Sequence, residues 1–515
     1  MRFIKWLLAV FLVLGAGLFL GRTMFPVPST EGRSRESAMT PGEDSDLARL
    51  LRPIAEAHPD RSGIVPLSSG RDAIASRLHL AATATRSIDV QYYIWHDDTT
   101  GRLLLKALHD AAQRGVRVRL LLDDNGIHGL DPTIAALETL PNIDIRIFNP
   151  STVRSPKMMG YALDFFRMNR RMHNKAFIVD GIASIIGGRN IGDEYFGVGE
   201  RSFFLDLDVL AVGAVVPEVS AAFDLYWNSA SAIASTEIID PSSGSIETFL
   251  QGAGEAAARP EAATFLESED SGASNLLEHE VQPEWDVVKL VVDDPVKGLG
   301  GASRDQLMIT RLMSLLGAVE SSLDLVSAYF VPGEVGTEFF TGLAAKGVKV
   351  RILTNAMQTT DVAVVHSGYS KYRRELLDGG VELFELKPIA GAPRGNEELG
   401  FTGSSGASLH AKTFAVDRDR IFIGSFNFDP RSALLNCEMG FLIDSPVLAR
   451  TLSDSFDTVL PSVSYQPRLT EDGDIVWFER KADAQPVTHD SEPGVGWGNR
   501  LMLGVFSVLP VEWLL

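Results

Sequence analysis

Apolar residues are arranged along this chain in three ways. Positions 6–20 are wholly apolar or glycine, preceded by Arg2 and Lys5 and followed by Gly21, Arg22, Pro26 and Pro28. Such a run predicts a signal peptide or a short membrane anchor over residues 1–25. No small-x-small cleavage pattern follows Leu20, and no cysteine stands where a lipoprotein is modified, so an uncleaved anchor is the expectation. The basic cluster beside Met1 favours the cytoplasm, which puts the body outside the inner membrane, in the periplasm where there is one. At the other end, 500–515 is apolar but carries Pro510 and Glu512, which suits a final core segment or an interfacial one better than a span.

Between these ends the pattern alternates, and it repeats. Residues 76–95 (SRLHLAATATRSIDVQYYIW) and 310–330 (TRLMSLLGAVESSLDLVSAYF) each show helical apolar spacing followed by a short β-rich run. Residues 111–126 and 344–356 each read as a helix ending at glycine, Gly115 or Gly347, and then a buried strand. Strand, helix and strand in succession predict βαβ units and a mostly parallel sheet, present in two copies. The expected organisation is an anchor (1–25), a linker (26–55), a first repeat (56–235), an acidic linker or insertion (236–284), a second repeat (285–465) and a C-terminal extension (466–515).

Each copy closes on one constellation. The first, HNKAFIVDGIASIIGGRN, carries His173, Lys175, Asp180, Gly188 and Asn190; the second, HAKTFAVDRDRIFIGSFN, carries His410, Lys412, Asp417, Ser425 and Asn427. Alternate residues of a strand share a face, so each His lies beside its Lys. Asp180-Gly181 and the polar 417–420 predict turns, so the two aspartates are turn formers or orienting carboxylates, the structural role slightly ahead. A Lys and an Asn from each half surround one small anion with two cations and two amide donors, which suits a phosphoryl transition state. The histidines supply a nucleophile on phosphorus and an acid for the leaving alkoxide.

These paired motifs resemble the HKD signature of the phospholipase D superfamily, over roughly residues 60–465. QYYIW (91–95), GGRNIGDEYF (187–196) and GSFNFDPRS (424–432) are most similar to the bacterial cardiolipin synthases, in particular the C type. The resemblance implies an α/β fold of two pseudo-symmetric repeats packed face to face with one shared site, and a metal-independent reaction through a phosphohistidine. On that carry-over His173 is the nucleophile and His410 the general acid, with the reverse assignment open. Lys175, Lys412, Asn190 and Asn427 hold the phosphate, and Ser425, which replaces Gly188, adds a hydrogen bond on one side only. The implied activity is phosphatidyl transfer, making cardiolipin from phosphatidylglycerol and a second phospholipid such as phosphatidylethanolamine. Hydrolysis to phosphatidic acid is the alternative.

Charge and composition narrow the remaining classes. With 47 basic and 67 acidic residues the net charge is −20, which disfavours a nuclease and any nucleic-acid partner. The single cysteine, Cys437, excludes an internal disulfide framework, and no ligand spacing calls for a metal or cofactor. A catalytically dead member of the fold is disfavoured because both constellations are intact. Glu438, or one of Asp206 and Asp208, can orient a histidine through its second ring nitrogen, with Glu438 and Asp208 carried forward as candidates. Tyr92, Tyr93, Trp95, Tyr329 and Phe330 are groove or core residues, Arg431 a phosphate contact or a surface ion pair, and His366 structural or solvated.

Overall fold

The computed structural model describes residues 2–42, 45–199, 203–266, 271–388, 407–481 and 485–496. The apolar stretch 500–515 lies outside them. Among the described residues the strands form two large sheets, one of nine strands and one of ten, and a two-stranded pair that links the halves.

The first sheet runs Glu284–Asp286, Ser62–Leu67, Asp208–Gly213, Ala183–Gly187, Ala176–Val179, Ser87–Ile94, Arg117–Gly126, Ile143–Phe148 and Ala232–Ala234. The second runs Val288–Val292, Met439–Ile443, Arg420–Gly424, Lys412–Val416, Ser322–Ser327, Lys349–Asn355, Glu382–Leu386, Ser464–Leu469, Ile475–Glu479 and Val487–His489. Both are mixed sheets, which corrects the expectation of mostly parallel ones. Parallel pairing joins Ser87–Ile94 to Arg117–Gly126 and on to Ile143–Phe148, and Ser322–Ser327 to Lys349–Asn355 and on to Glu382–Leu386. These are the strands joined by helical crossovers, Thr99–Gln113 and Gly333–Ala345 among them. The motif strands return through tight turns instead, Ala176–Val179 into Ala183–Gly187 and Lys412–Val416 into Arg420–Gly424, and a tight turn permits only antiparallel pairing.

Local chemistry fixes the crossover helices. Ser69 accepts from the amide of Asp72 and Asp98 from that of Gly101, capping the helices Gly70–Thr83 and Thr99–Gln113. Gly115 and Gly347 end the crossovers at φ 95° and 88°. A buried pair, Arg119 with Asp89, ties the first two parallel strands (2.7 Å), and Arg351 with Asp324 repeats it in the second half (2.5 Å). The 246–277 region folds into helices Ile246–Ala257, Pro260–Leu266 and Gly272–Leu277, whose Phe249, Ala262, Phe265 and Leu276 join the core of the first half.

The halves meet through the apolar faces of the two sheets. Ala176, Ile178, Ile186, Val209 and Ala211 of the first form one buried cluster with Ala415, Ile421, Ile423, Met439 and Phe441 of the second. Arg2–Met24 is a helix of 23 residues with Phe3, Trp6, Leu12, Val13 and Phe19 exposed. Some of its side chains lie outside the described residues, and among those described no helix is long and apolar enough to cross a membrane, so an anchor is not shown.

Candidate active site

The two histidines are positioned by an exchange between halves. The His173 amide donates to the Cys437 carbonyl at 2.8 Å, and the Cys437 amide to that of Arg171 at 2.8 Å. In the mirror arrangement Ala407–Leu409 pairs in parallel with Phe203–Leu205, and the His410 amide donates to the Leu205 carbonyl at 2.8 Å. The residue after each acceptor is an acid, and each acid therefore reaches the other half's imidazole. Glu438 Oε2 lies 2.8 Å from His173 Nδ1, and Asp206 Oδ2 lies 2.5 Å from His410 Nδ1. Carboxylates that accept from Nδ1 leave Nε2 as the basic nitrogen for chemistry at phosphorus.

The two lysines are buried beside their histidines. Lys175 Nζ donates to the His173 carbonyl at 2.6 Å, and Lys412 Nζ donates to that of His410 and lies 2.8 Å from His410 Nδ1. Burial, opposed by Glu438 and reinforced by Lys412, brings Lys175 down to about 7. Burial also brings Lys412 down to about 8 against the pull of Asp206 and Glu438. Burial and then Lys175 and Lys412 hold His173 well below its ordinary value, with the Ser425 backbone acting the other way. His410 falls to about 4 for the same reasons, burial and Lys412, partly offset by Asp206.

The acids differ. Burial pushes Glu438 up to about 7 despite Lys175 and a hydrogen bond from Ser425. Asp206 is buried too, but Lys412, His410 and Arg189 hold it well below the usual carboxylate range. One histidine thus rests on a carboxyl that shares its proton and the other on a firmly ionised one. Ser425 Oγ donates to Glu438 Oε2 at 2.5 Å and accepts from the Met439 amide at 3.1 Å. At the matching Gly188 a Cβ would stand 2.1 Å from Asp206 Oδ1, so only glycine leaves room for that carboxylate.

Other sequence candidates take different places. Asn190 Oδ1 accepts from the Ile94 amide (3.2 Å) and its Nδ2 donates to the Tyr195 hydroxyl (3.0 Å); Asn427 Oδ1 accepts from the Tyr329 amide (3.4 Å). Asp208 does not reach a histidine: its Oδ2 takes Arg77 at 2.8 Å and its Oδ1 the Arg189 amide at 3.1 Å, so the orienting acid of this half is Asp206. Asp180 and Asp417 sit past the far ends of their strands, in turns at φ 52° and 54°. Asp180 accepts from Ser45 Oγ, Thr85 Oγ1 and the amides of Thr85, Arg86 and Ser87. Asp417 accepts from the amides of Glu320, Ser321 and Ser322. Each clamps the start of its neighbouring strand, about 20 Å of extended chain from its histidine.

The aromatic candidates divide. Tyr92, Trp95 and Phe330 are core, whereas Tyr93 meets the His173 ring edge-on at 5.0 Å with Lys175 Nζ 5.6 Å from its centroid. Tyr195 and Phe204, neither singled out by sequence, flank His410 at 5.2 and 5.0 Å. Tyr195 stands inside the GGRNIGDEYF run, five residues after Asn190, and that spacing was the available signal. Arg431 binds Asn169 (2.7 Å), and His366 binds Glu492 (2.5 Å) within a buried network with Arg373. Among the described residues one group has metal-ligand composition, His96, Asp98 and Glu194, with ligand atoms within 4.8 Å of one another. These groups already serve one another: Glu194 Oε1 lies 3.1 Å from His96 Nδ1, and Asp98 caps the Gly101 and Asp193 amides.

Comparison with known proteins identifies the family. The family described as "Cardiolipin synthase, PLD-like domain" matches residues 78–210 and 312–460, one segment per half. Cardiolipin synthase C of Escherichia coli strain K12 is 44% identical over 473 residues, covering 91% of this chain and 99% of the relative. The chain belongs to the phospholipase D-like cardiolipin synthase family. An uncharacterized protein of Helicobacter pylori is 32% identical over 481 residues, covering 90% of this chain and 92% of its own. Among solved structures, the phosphatidylserine synthase of Haemophilus influenzae superposes with a TM-score of 0.56 at 14% identity, covering 90% of this chain and 99% of the other, which supports the shared fold. Within this family framework, each matched segment holds one of the two motif histidines, His173 in 78–210 and His410 in 312–460.

Proposed function

We propose that this member of the family is a membrane-associated phosphatidyltransferase that makes cardiolipin from phosphatidylglycerol and a second phospholipid. The observation that carries the reading is the pair of buried imidazoles, each with Nδ1 on the other half's acid and each beside a buried lysine. His173 attacks phosphorus through Nε2, the phosphorus–oxygen bond to the headgroup breaks, and His410 gives its proton to the departing alkoxide. The glycerol hydroxyl of phosphatidylglycerol then attacks the phosphatidyl-histidine, returning a proton to His410 and releasing His173. This order is supported by the acids: both imidazoles are held below their ordinary value, but firmly ionised Asp206 offsets positive charge on His410, whereas Glu438, pushed up to about 7, offers His173 less of that support and leaves it the better nucleophile. Lys175 and Lys412 offset charge on the non-bridging oxygens.

Membrane attachment falls to the N-terminal helix. Its exposed Phe3, Trp6, Leu12, Val13 and Phe19 offer an apolar surface to lipid. Its end is tied to a second apolar surface: Arg22 Nε donates to the Leu163 carbonyl (2.8 Å), on the helix Met158–Met168, where Met158 and Phe166 are 81% and 69% exposed. Tyr161 of that helix donates to Asn125, which binds the Tyr93 hydroxyl, so the apolar surface adjoins the His173 side of the site. The test is incubation of purified protein with phosphatidylglycerol, with and without phosphatidylethanolamine, and mass spectrometry of the lipids. Cardiolipin that disappears in His173→Ala and His410→Ala supports the reading, and phosphatidic acid alone replaces it with hydrolysis.

A further inference from the structure

Besides Gly188 against Ser425 and Asp206 against Glu438, the two halves differ in a further polar feature beside the site. The backbone amides of Ile94 and Tyr329 occupy matching places, each donating to the motif asparagine of its own half. Where the first half has an isoleucine side chain, the second has a phenol, and its hydroxyl donates to Asp361 Oδ2 at 2.6 Å. Asp361 follows the strand Lys349–Asn355, the middle member of the three parallel strands, on the loop at its C-terminal end. That end of a parallel sheet is where an α/β fold opens its binding crevice.

Asp361 Oδ1 is buried and has no hydrogen-bond partner among the described residues. An acid oxygen shut away from water without a donor is costly and calls for a ligand that supplies one. It lies on the His410 side of the site: Tyr329, which holds it, has its amide on the motif asparagine Asn427, and the Asp361 charge acts on Lys412 and Tyr195, both beside His410. Tyr329 itself is kept protonated by burial and by Asp361, so it stays a donor and fixes the carboxylate's orientation. An ionised carboxylate is an acceptor only, so it does not pair with an ionised phosphate or carboxylate; it accepts from a hydroxyl or an ammonium.

We propose that Asp361, fixed by Tyr329, accepts a hydrogen bond from a non-reacting hydroxyl or ammonium of the alcohol that leaves or enters at phosphorus. This rests on the transferase reading and on the alcohol lying at His410, the general acid. It makes the second half the headgroup-reading side, with the glycerol of phosphatidylglycerol and the ethanolamine of phosphatidylethanolamine as the two headgroups bearing such a donor.

The experiment compares acceptors that differ in that donor. Full-length protein in phosphatidylglycerol vesicles is given equal concentrations of deuterated glycerol, ethanolamine or 1-propanol, and the phosphatidyl products are counted by mass spectrometry. The unaltered enzyme should prefer glycerol or ethanolamine over 1-propanol by about ten-fold or more, the worth of one buried hydrogen bond to a charged group. In Asp361→Ala the preference should fall to within about two-fold, and Tyr329→Phe should lower it part of the way. If ethanolamine loses more than glycerol, the ammonium is the group read; if glycerol loses more, the hydroxyl is. An unchanged preference in both variants, or an equal loss for all three acceptors, overturns the proposal while leaving the transferase reading in place. Phosphatidic acid alone from the unaltered enzyme overturns that reading instead.

Discussion

Replacing Asp206 by asparagine separates the two histidines by role. The side chain keeps its shape and its place beside His410 Nδ1, now 2.5 Å from Oδ2, but loses its charge. A unit charge about 4 Å from the imidazolium centre is worth about 4 kcal/mol at an effective dielectric of about 20. The amide's own hydrogen bond returns about 1 kcal/mol. The remaining loss of about 3 kcal/mol lowers the pKa of His410 by about two units below a value that burial and Lys412 already hold at about 4. The population of imidazolium able to protonate a leaving alkoxide then falls about 100-fold, and so should kcat/KM for phosphatidylglycerol. A substrate whose leaving group needs no proton, such as phosphatidyl-p-nitrophenol, should lose no more than about five-fold in its first step, followed by nitrophenol release. Thermal unfolding of the same variant checks that the fold is retained. Equal losses for both substrates would refute the assignment of His410 as general acid. A loss selective for phosphatidylglycerol in Glu438→Gln rather than in Asp206→Asn would exchange the roles of the two histidines.

Anion binding should carry the pH signature of the lysines. With Lys175 at about 7 and Lys412 at about 8, their ammonium forms are lost as pH rises through that window, so inhibition by diethyl phosphate should weaken by about ten-fold or more between pH 6.5 and pH 9; a flat profile would show that the lysines do not hold the anion. Asp180→Ala leaves the Arg86 and Ser87 amides without their acceptor and should cost about 2–4 kcal/mol in denaturant unfolding, with activity per folded molecule preserved within a few-fold. A stable but inactive Asp180→Ala protein would return that residue to the chemistry. Deleting residues 1–25 together with Phe165→Ser and Phe166→Ser should move the protein from the membrane to the soluble fraction on cell fractionation; continued sedimentation with membranes would locate the attachment elsewhere.

The pairing of the halves was legible because it is written in local order: helix-spaced apolar residues, a glycine stop, a buried run, then His and Lys on alternate positions. The antiparallel half of each sheet was signalled as well, by Asp180-Gly181 and the turn after Val416, yet the crossover pattern outweighed the turns when sheet direction was inferred. Choosing between Asp206 and Asp208 depended on information that no local window holds. Both follow the motif at similar distance, and what separates them is Arg77, far upstream, which takes Asp208, and Leu205, whose carbonyl receives the His410 amide. The segment 236–284 reads as an acidic linker or insertion because its apolar residues are diluted by Ser, Gly and acids; Phe249 and Phe265 of its helices join the core of the first half. Tyr195 and Phe204 have meaning only once His410 arrives from the other half.

The crossed placement of Glu438 and Asp206 also bears on how such a site comes to exist. Neither repeat expressed alone holds a histidine with its acid: each carries one member of each pair and neither pair whole. Two identical halves in a symmetric dimer would satisfy the same crossing, with two equal histidines and two equal acids. Covalent fusion removes that equality, because a change in one repeat is no longer copied into the other. Gly188 against Ser425, aspartate against glutamate, and Ile94 against Tyr329 are differences that only a single chain can keep. Joining the repeats in one chain is thus what lets the two histidines differ, as the proposed division into nucleophile and acid requires.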